Sequence, residues 1–184
     1  MPVPFTHSRV MNLAYVALMA ALMAICAWIT LPIGPVPFTM QTFAVFAALG
    51  LLGGKRGTLA VGVYLLLGLV GLPVFAGFAA GAGTLLGPTG GYLVGFLVSA
   101  LVYWGLTAQL GSGQKAMALA MVLGLVVCYA FGTFWFLQVY AGGGSAGTLL
   151  GALTLCVFPY VIPDLVKLAL ALLVARRVGK YVKG

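Results

Sequence analysis

The chain has 184 residues, of which 64% are hydrophobic and 5% charged, and its nine Lys and Arg residues against one acidic residue give a net charge of +8. A soluble domain carries about a quarter charged residues, so this composition excludes a solvated surface and indicates an integral membrane protein with a single domain over residues 1–184. Apart from Lys167, the basic residues lie at the two ends and in two short loops, without a basic face beside stacking aromatics, which argues against a nucleic-acid partner.

Six apolar segments are candidates for crossing the lipid bilayer, whose hydrocarbon core needs about 20 residues of helix. In chain order they are 11–31, 38–53, 57–76, 90–110, 115–139 and 150–175. The first is longer than the core of a cleaved signal peptide, so we expect a retained helix. The last contains Pro159 and Pro163, which predict a kinked or unwound upper part with exposed carbonyl groups. We therefore predict an all-α fold with six transmembrane helices.

The connections between these segments alternate in charge. The N-terminal stretch, the second and fourth connections and the C-terminal tail carry Arg or Lys, whereas the first, third and fifth connections carry neither. Cytoplasmic loops of membrane proteins are enriched in Lys and Arg, so both termini are predicted to be cytoplasmic, as six crossings require. The uncharged connections 30–38, 76–90 and 140–149 are rich in proline or glycine; they are either flexible connectors or loops that fold over a ligand.

Alanines recur at helical spacing in the first segment. Ala17 and Ala21 are four residues apart, as are Ala20 and Ala24. A narrow face of small residues lets membrane helices pack closely. We predict that these alanines form a docking face for another helix of this chain or for a partner protein.

Asp164 is the one acidic residue of the chain, and it lies inside the last apolar segment. A charge at the centre of a spanning helix costs about 2.5–3.5 kcal/mol on insertion scales. Lys167 lies three residues further on and shares the same helix face, so the two residues form either a structural ion pair or a ligand site. We favour a ligand site, because ionisable groups inside membranes are functional by default.

The chemistry of this pair defines the kind of ligand. A carboxylate accepts N–H donors and an ammonium binds an acceptor oxygen, so a small ligand with both groups and an apolar body would match. Aromatic side chains predicted to form apolar walls are Phe38, Phe75, Tyr92, Trp135 and Tyr160.

No catalytic residue, metal site or resident cofactor is predicted. The chain lacks the P-loop, HExxH and GxSxG motifs, and Cys26, Cys128 and Cys156 stand apart in apolar stretches as expected of buried, inert thiols. A carrier that uses Asp164 to couple transport to ions or protons stays open, as does a purely structural membrane subunit.

Four ordered stretches of the chain are distinctive: "LPIGPVPFTMQTFAVFAALGLLGGKRG" (31–57), "GLVGLPVFAGF" (68–78), "GAGTLLGPTGGYLVGF" (81–96) and "PYVIPDLVKLALA" (159–171). Together they resemble the BioY family, the biotin-binding S-components of prokaryotic energy-coupling-factor (ECF) transporters. The resemblance implies a six-helix S-component bundle in the cell membrane of a prokaryote, with biotin as the transported ligand and no enzymatic activity.

The same resemblance implies partners. A transmembrane coupling protein and two cytoplasmic ATPases would power uptake, with the coupling protein docking on the alanine face of the first helix. An S-component for another vitamin and a homo-oligomeric state stay open.

Carried over by position, the family's intramembrane Asp and Lys correspond to Asp164 and Lys167. Asp164 would accept a ureido N–H of biotin, and Lys167 would bind a biotin oxygen or neutralise Asp164. The family often has a polar residue after "GLPVFA", whereas here Gly77 begins a stretch without one. The resulting set of predicted binding residues is Asp164, Lys167, Tyr92, Gln41, Thr39, Phe75, Gly77, Tyr160 and Trp135.

Overall fold

The computed structural model describes residues 4–32, 36–140 and 148–182, with side chains described over 9–32, 36–140 and 148–179. Parts of the predicted connections 30–38 and 140–149 therefore lie outside the described residues. In chain order the elements are α1 (Pro4–Trp28), β1 (Thr30–Leu31), β2 (Phe38–Thr39), α2 (Gln41–Leu52), α3 (Gly54–Leu69), α4 (Ala82–Leu86), α5 (Gly90–Leu110), α6 (Gln114–Val139), α7 (Leu149–Cys156) and α8 (Phe158–Val182).

The all-α prediction is confirmed for the described part of the chain, apart from the two short strands. Four helical stretches there are long and apolar enough to cross a membrane: Arg9–Trp28, Gly90–Leu110, Gln114–Val139 and Phe158–Gly179. Helix α2 is apolar but shorter than these four, since its 12 residues extend about 18 Å against a hydrocarbon core of about 30 Å. All of its residues except Phe43 are buried, so protein rather than lipid surrounds it.

Two helices end earlier than the hydrophobic pattern predicts. Helix α1 ends at Trp28, and β1 pairs antiparallel with β2, so that Thr30 faces Thr39. Helix α3 ends at Leu69, because Gly71 adopts a φ of +101° that favours glycine. Apolar residues continue beyond both helix ends, but the backbone there is no longer helical.

The last apolar segment is interrupted as predicted, though not where the prolines suggested. The break lies at Val157, whose φ and ψ of −124° and −60° separate α7 from α8. Pro159 lies in the first turn of α8, where backbone N–H groups have no helical acceptor and proline is tolerated. Pro163 lies within a continuous α8, so the predicted unwinding beside Asp164 is wrong.

Helices α5 and α6 pack closely because glycines on each face aromatic rings on the other. A Cβ added to Gly132 would lie 2.3 Å from the ring of Tyr92, and one added to Gly91 would lie 2.2 Å from Trp135. Side chains larger than hydrogen at either glycine would therefore separate the helices. This contact fixes the position of Tyr92 at the start of α5.

The four alanines of α1 do not form one face. Ala20 and Ala24 are buried, at 1% and 6% exposure, within the chain's own core, whereas Ala17 and Ala21 are exposed. Residues three apart are rotated by about 60° around a helix, so the two pairs point in different directions. Ala20 and Ala24 therefore pack within this chain, which is the first of the two alternatives, while docking of a partner stays a prediction for which Ala17 and Ala21 are the exposed candidates.

Candidate ligand-binding site

A cavity of about 140 Å³ lies among the helices, in the part of the chain that the structure describes. Strand β2, the starts of α2 and α5, the middle of α6, the end of α7 and α8 contribute to its walls, together with the connection between α3 and α5. Aromatic and aliphatic side chains dominate the lining, with a few polar groups among them, which is the usual character of a small-molecule site. Apolar lining residues include Phe38, Phe75, Leu93, Phe96 and Leu125.

Asp164 and Lys167 meet in this cavity as a buried ion pair. The Lys167 Nζ atom lies 2.7 Å from Asp164 Oδ1, and the two residues are 4% and 5% exposed. The same ammonium donates to the carbonyl oxygen of Thr39 at 2.6 Å and lies 3.7 Å from the centre of the Phe38 ring, a cation–π contact. Its positive charge is thus compensated from three directions.

The second oxygen of the carboxylate is also engaged. Tyr129 on α6 donates its hydroxyl to Asp164 Oδ2 at 2.6 Å. A carboxylate offers about four acceptor positions, so each oxygen can still accept one more donor from a ligand. The bond joins α6 to α8 and fixes the orientation of the Asp164 carboxylate.

Thr39 and Gln41 connect the ion pair, through hydrogen bonds, to Tyr64 and to the backbone of Val74. The backbone N–H of Gln41 donates to Thr39 Oγ1 at 3.3 Å, and its side-chain amide donates to the hydroxyl of Tyr64. The Tyr64 hydroxyl in turn donates to the carbonyl oxygen of Val74 at 3.0 Å. These buried polar groups satisfy one another and link α2 to the connection that follows α3.

Two aromatic contacts shape the walls. The Phe75 ring is buried beside Gly68, where an added Cβ would lie 2.0 Å from the ring, and it meets the edge of Tyr64 at a centroid distance of 5.6 Å. Tyr160 stacks on Phe38 with centroids 6.2 Å apart. The stacking on Tyr160 therefore holds in place the Phe38 ring that the Lys167 ammonium contacts.

Comparison with known proteins identifies the family that shares this sequence and fold. Residues 2–184 match the BioY family. The chain belongs to the BioY family. It is similar to the biotin transporter BioY of Thermotoga maritima, with 46% identity over 160 residues that cover 87% of this chain and 90% of that protein.

Further BioY relatives and one solved structure are similar over most of their length. The probable biotin transporter BioY of Pyrococcus horikoshii is 40% identical over 166 residues, covering 90% of this chain and 94% of that protein. A crystal structure of the S-component for biotin from an ECF-type ABC transporter superposes with a TM-score of 0.84 at 31% identity, covering 95% of this chain and 94% of that chain. The family resemblance predicted from sequence is thus confirmed.

Most of the side chains predicted to bind the ligand line the cavity of this BioY protein: Asp164, Lys167, Tyr92, Gln41, Thr39, Phe75 and Tyr160. Trp135 and Gly77 are not among its described lining residues. Trp135 follows Tyr129 by six residues, which rotates it by about 240° away from the Tyr129 direction. It instead donates to the carbonyl oxygen of Gly87 at 3.0 Å.

Other residues of the connection that contains Gly77 line the cavity. Gly77 is exposed and adopts a φ of +65°, while Ala76 and Ala79 line the cavity. Polar side chains of the same connection come later in the chain, from Thr84 and Thr89. Thr89 belongs to the family motif GPTGGY, which corresponds to Gly87 through Tyr92, but neither threonine was among the predicted binding residues.

Tyr129 is the functional candidate that sequence reasoning missed. A hydroxyl group inside an apolar spanning helix needs a partner, so its presence in α6 was a usable signal. The sequence did not indicate that this face of α6 would meet α8. Cys128 and Cys156 also line the cavity, and they are buried free cysteines, as predicted.

Proposed function

We propose that this protein binds biotin and serves as the substrate-specific subunit of an ECF-type transporter. The observation that carries the proposal is a buried, hydrogen-bonded ion pair in an otherwise largely apolar cavity of a BioY-family chain. The protein acts in uptake and is not an enzyme. Biotin is its cargo, and it uses no resident cofactor.

The cavity matches the chemistry of biotin. The ureido ring offers two N–H donors and one acceptor oxygen, and the remaining ring and the methylene groups of the valerate chain are apolar up to its terminal carboxylate. In our proposal Asp164 accepts a ureido N–H, while Lys167 pairs with the Asp164 carboxylate and lies near the ureido oxygen. The rings of Phe38 and Phe75 both line the cavity, and in this proposal they contact the apolar body of the ligand.

The same proposal includes a topology and partners. We place the protein in the cell membrane of a prokaryote, with six crossings and both termini in the cytoplasm. The alternation of basic and uncharged connections supports this orientation. A transmembrane coupling protein and two cytoplasmic ATPases complete the transporter.

Calorimetric titration of the purified chain with biotin tests the binding site. We expect Asp164→Asn to weaken biotin binding by at least about tenfold, since a hydrogen bond to a charged group contributes about 1.5–3 kcal/mol. Ser99→Ala is the matched control, because Ser99 is fully buried between α5 and α6 and bonds to Gly124 rather than facing the cavity.

Two further measurements make the result decisive. If Asp164→Asn does not fold, Asp164→Asn combined with Lys167→Met restores charge balance and should still bind poorly. Thiamine and riboflavin should not compete with biotin. Unchanged biotin affinity in the folded variant would show that Asp164 does not contact the ligand, and failure of the unmodified protein to bind biotin would reject the function.

A further inference from the structure

Biotin has a second recognisable end, the carboxylate of its valerate chain. We propose that this protein recognises the ureido head and has no cation for the carboxylate, so that biotin converted to its neutral primary amide is a ligand of similar affinity. The proposal rests on the biotin site proposed above, and it widens the substrate class to carboxyl-modified biotin.

Lys167 is the one cation in the described cavity lining, and its contacts are already taken. Its ammonium bonds to Asp164 Oδ1 at 2.7 Å and to the carbonyl oxygen of Thr39 at 2.6 Å, and it lies over the ring of Phe38. An ammonium has three donors. A ligand carboxylate would have to displace one of these partners, two of which are oxygens that would then lose a buried donor.

The other cations whose side chains the structure describes lie near helix ends and do not line the cavity. Lys55 and Arg56 stand in the first turn of α3, and Lys115 stands in the first turn of α6. Arg176 follows Asp164 by 12 residues along α8, which separates their backbones by about 18 Å. The two internal stretches outside the described residues, 33–35 and 141–147, contain no Lys, Arg or His.

Electrostatics then favour a ligand carboxylate that keeps its contact with water over one that is fully buried. Asp164 is already paired with Lys167, and a second anion buried without its own cation would lose solvation in a medium of low dielectric constant. Thr89 offers a hydroxyl group that can bond to a carboxylate or an amide, while Thr84 donates its own hydroxyl to the carbonyl oxygen of Ala80 at 2.9 Å and offers an acceptor. The tail is therefore held without regard to its charge.

Competition calorimetry on the full-length, unmodified protein in lipid nanodiscs tests this. The ligands are biotin, biotinamide, which has nearly the same shape but no charge, and biotin methylated on a ureido nitrogen, which lacks one N–H donor. We expect biotin and biotinamide to differ by less than about fivefold, and the N-methylated ligand to bind at least about tenfold more weakly than either.

The outcomes separate this inference from the proposed function. An ion pair with the carboxylate would contribute about 1.5–3 kcal/mol, or about 10- to 150-fold, so a preference for biotin over biotinamide above fivefold overturns the inference while leaving biotin binding intact. Equal affinity for all three ligands would also overturn it, because the ureido head would not be read. Absence of biotin binding would instead reject the proposed function itself.

Discussion

Asp164 has a partner on each carboxylate oxygen, with Lys167 Nζ at 2.7 Å and Tyr129 Oη at 2.6 Å. Removing one member of a buried ion pair costs about 3–5 kcal/mol, because the remaining charge loses its compensation. The Tyr129 bond contributes in another way: it restricts rotation of the carboxylate before the ligand arrives. Such preorganisation raises affinity by lowering the entropy lost on binding.

Tyr129→Phe should therefore weaken biotin binding while leaving the fold intact. The ring remains, and only the hydroxyl that orients Asp164 is lost. We expect at least about tenfold weaker binding by calorimetry, from a charge-assisted hydrogen bond of about 1.5–3 kcal/mol.

Tyr103→Phe provides the matched control for this change. Tyr103 is 2% exposed in α5 and lies outside the described cavity lining, so the same atom is removed without touching the site. Its biotin affinity should be close to that of the unmodified protein. Equal losses of affinity in the two variants, or no loss in Tyr129→Phe, would show that Tyr129 does not position Asp164 for the ligand.

Asp164, Lys167 and Tyr129 differ in how readily the sequence alone identifies them as site residues. Asp164 and Lys167 stand out because charges are expensive in an apolar segment and lie one helical turn apart. Tyr129 is one of several aromatic residues in a uniformly apolar helix. Its role depends on which face of α6 meets α8, and that is decided by close contacts such as Gly132 against Tyr92, which no local pattern encodes.

At the level of elements, the connection after α3 is an ordered wall of the site rather than a flexible connector. Trp28 of α1 donates its indole N–H to the carbonyl oxygen of Pro73 at 2.8 Å and stacks on Phe78 with centroids 5.1 Å apart. Phe75 is 1% exposed and fills the space beside Gly68. This decides between the two interpretations that glycine content alone left equal for this connection.

Helix positions were easier to predict than helix ends. Hydrophobic runs located the regions that contain α1, α5, α6 and α8, since about 20 apolar residues are a strong signal. The ends depend on backbone geometry, such as the break at Val157 and the positive φ of Gly71. Proline marked the last interruption only approximately, because a proline fits the first turn of a helix without breaking it.

The orientation proposed for the connections makes a prediction about chemical access. Leu72 lies exposed in the uncharged connection after α3, and Lys115 lies exposed in the first turn of α6, next to the connection from α5. A membrane-impermeant maleimide added to whole cells should label Leu72→Cys and not Lys115→Cys, since only the former faces outward in our proposal.

Two further labelling conditions serve as controls for this experiment. Inverted membrane vesicles should show the opposite labelling, and permeabilised cells should label both variants. The native cysteines Cys26, Cys128 and Cys156 are buried, so background labelling should be low. Labelling of both positions from the same side would contradict the proposed topology.

On the scale of the whole molecule, charge is divided between one buried pair and basic helix ends. Because Asp164 is the one acidic residue in the sequence and is bound to Lys167, no Asp or Glu is left to neutralise the other basic side chains. In the orientation that we propose, they face lipid headgroups or a partner at the cytoplasmic side. Composition therefore predicted the membrane class well, whereas the three-dimensional assembly of the cavity from seven separate parts of the chain required the structure.

The last prediction concerns the two exposed alanines of α1 as a docking surface for a partner protein. Ala17 and Ala21 present a shallow surface on the outside of the bundle, where a helix of the proposed coupling protein can approach closely. Ala21→Trp should weaken that complex by about 5- to 150-fold, because overpacking a close contact costs about 1–3 kcal/mol. Co-purification from membranes that contain the coupling protein and both ATPases measures the loss.

Val126→Trp is the control, since Val126 is 56% exposed on α6 and gains the same bulky ring away from α1. Both variants should bind biotin normally, because neither position lines the cavity among the described residues. If Ala21→Trp co-purifies as well as Val126→Trp, the exposed alanines are not the docking surface. If Ala21→Trp instead loses biotin binding, α1 supports the cavity through the Trp28 contacts, and its outer face then has a structural rather than a docking role.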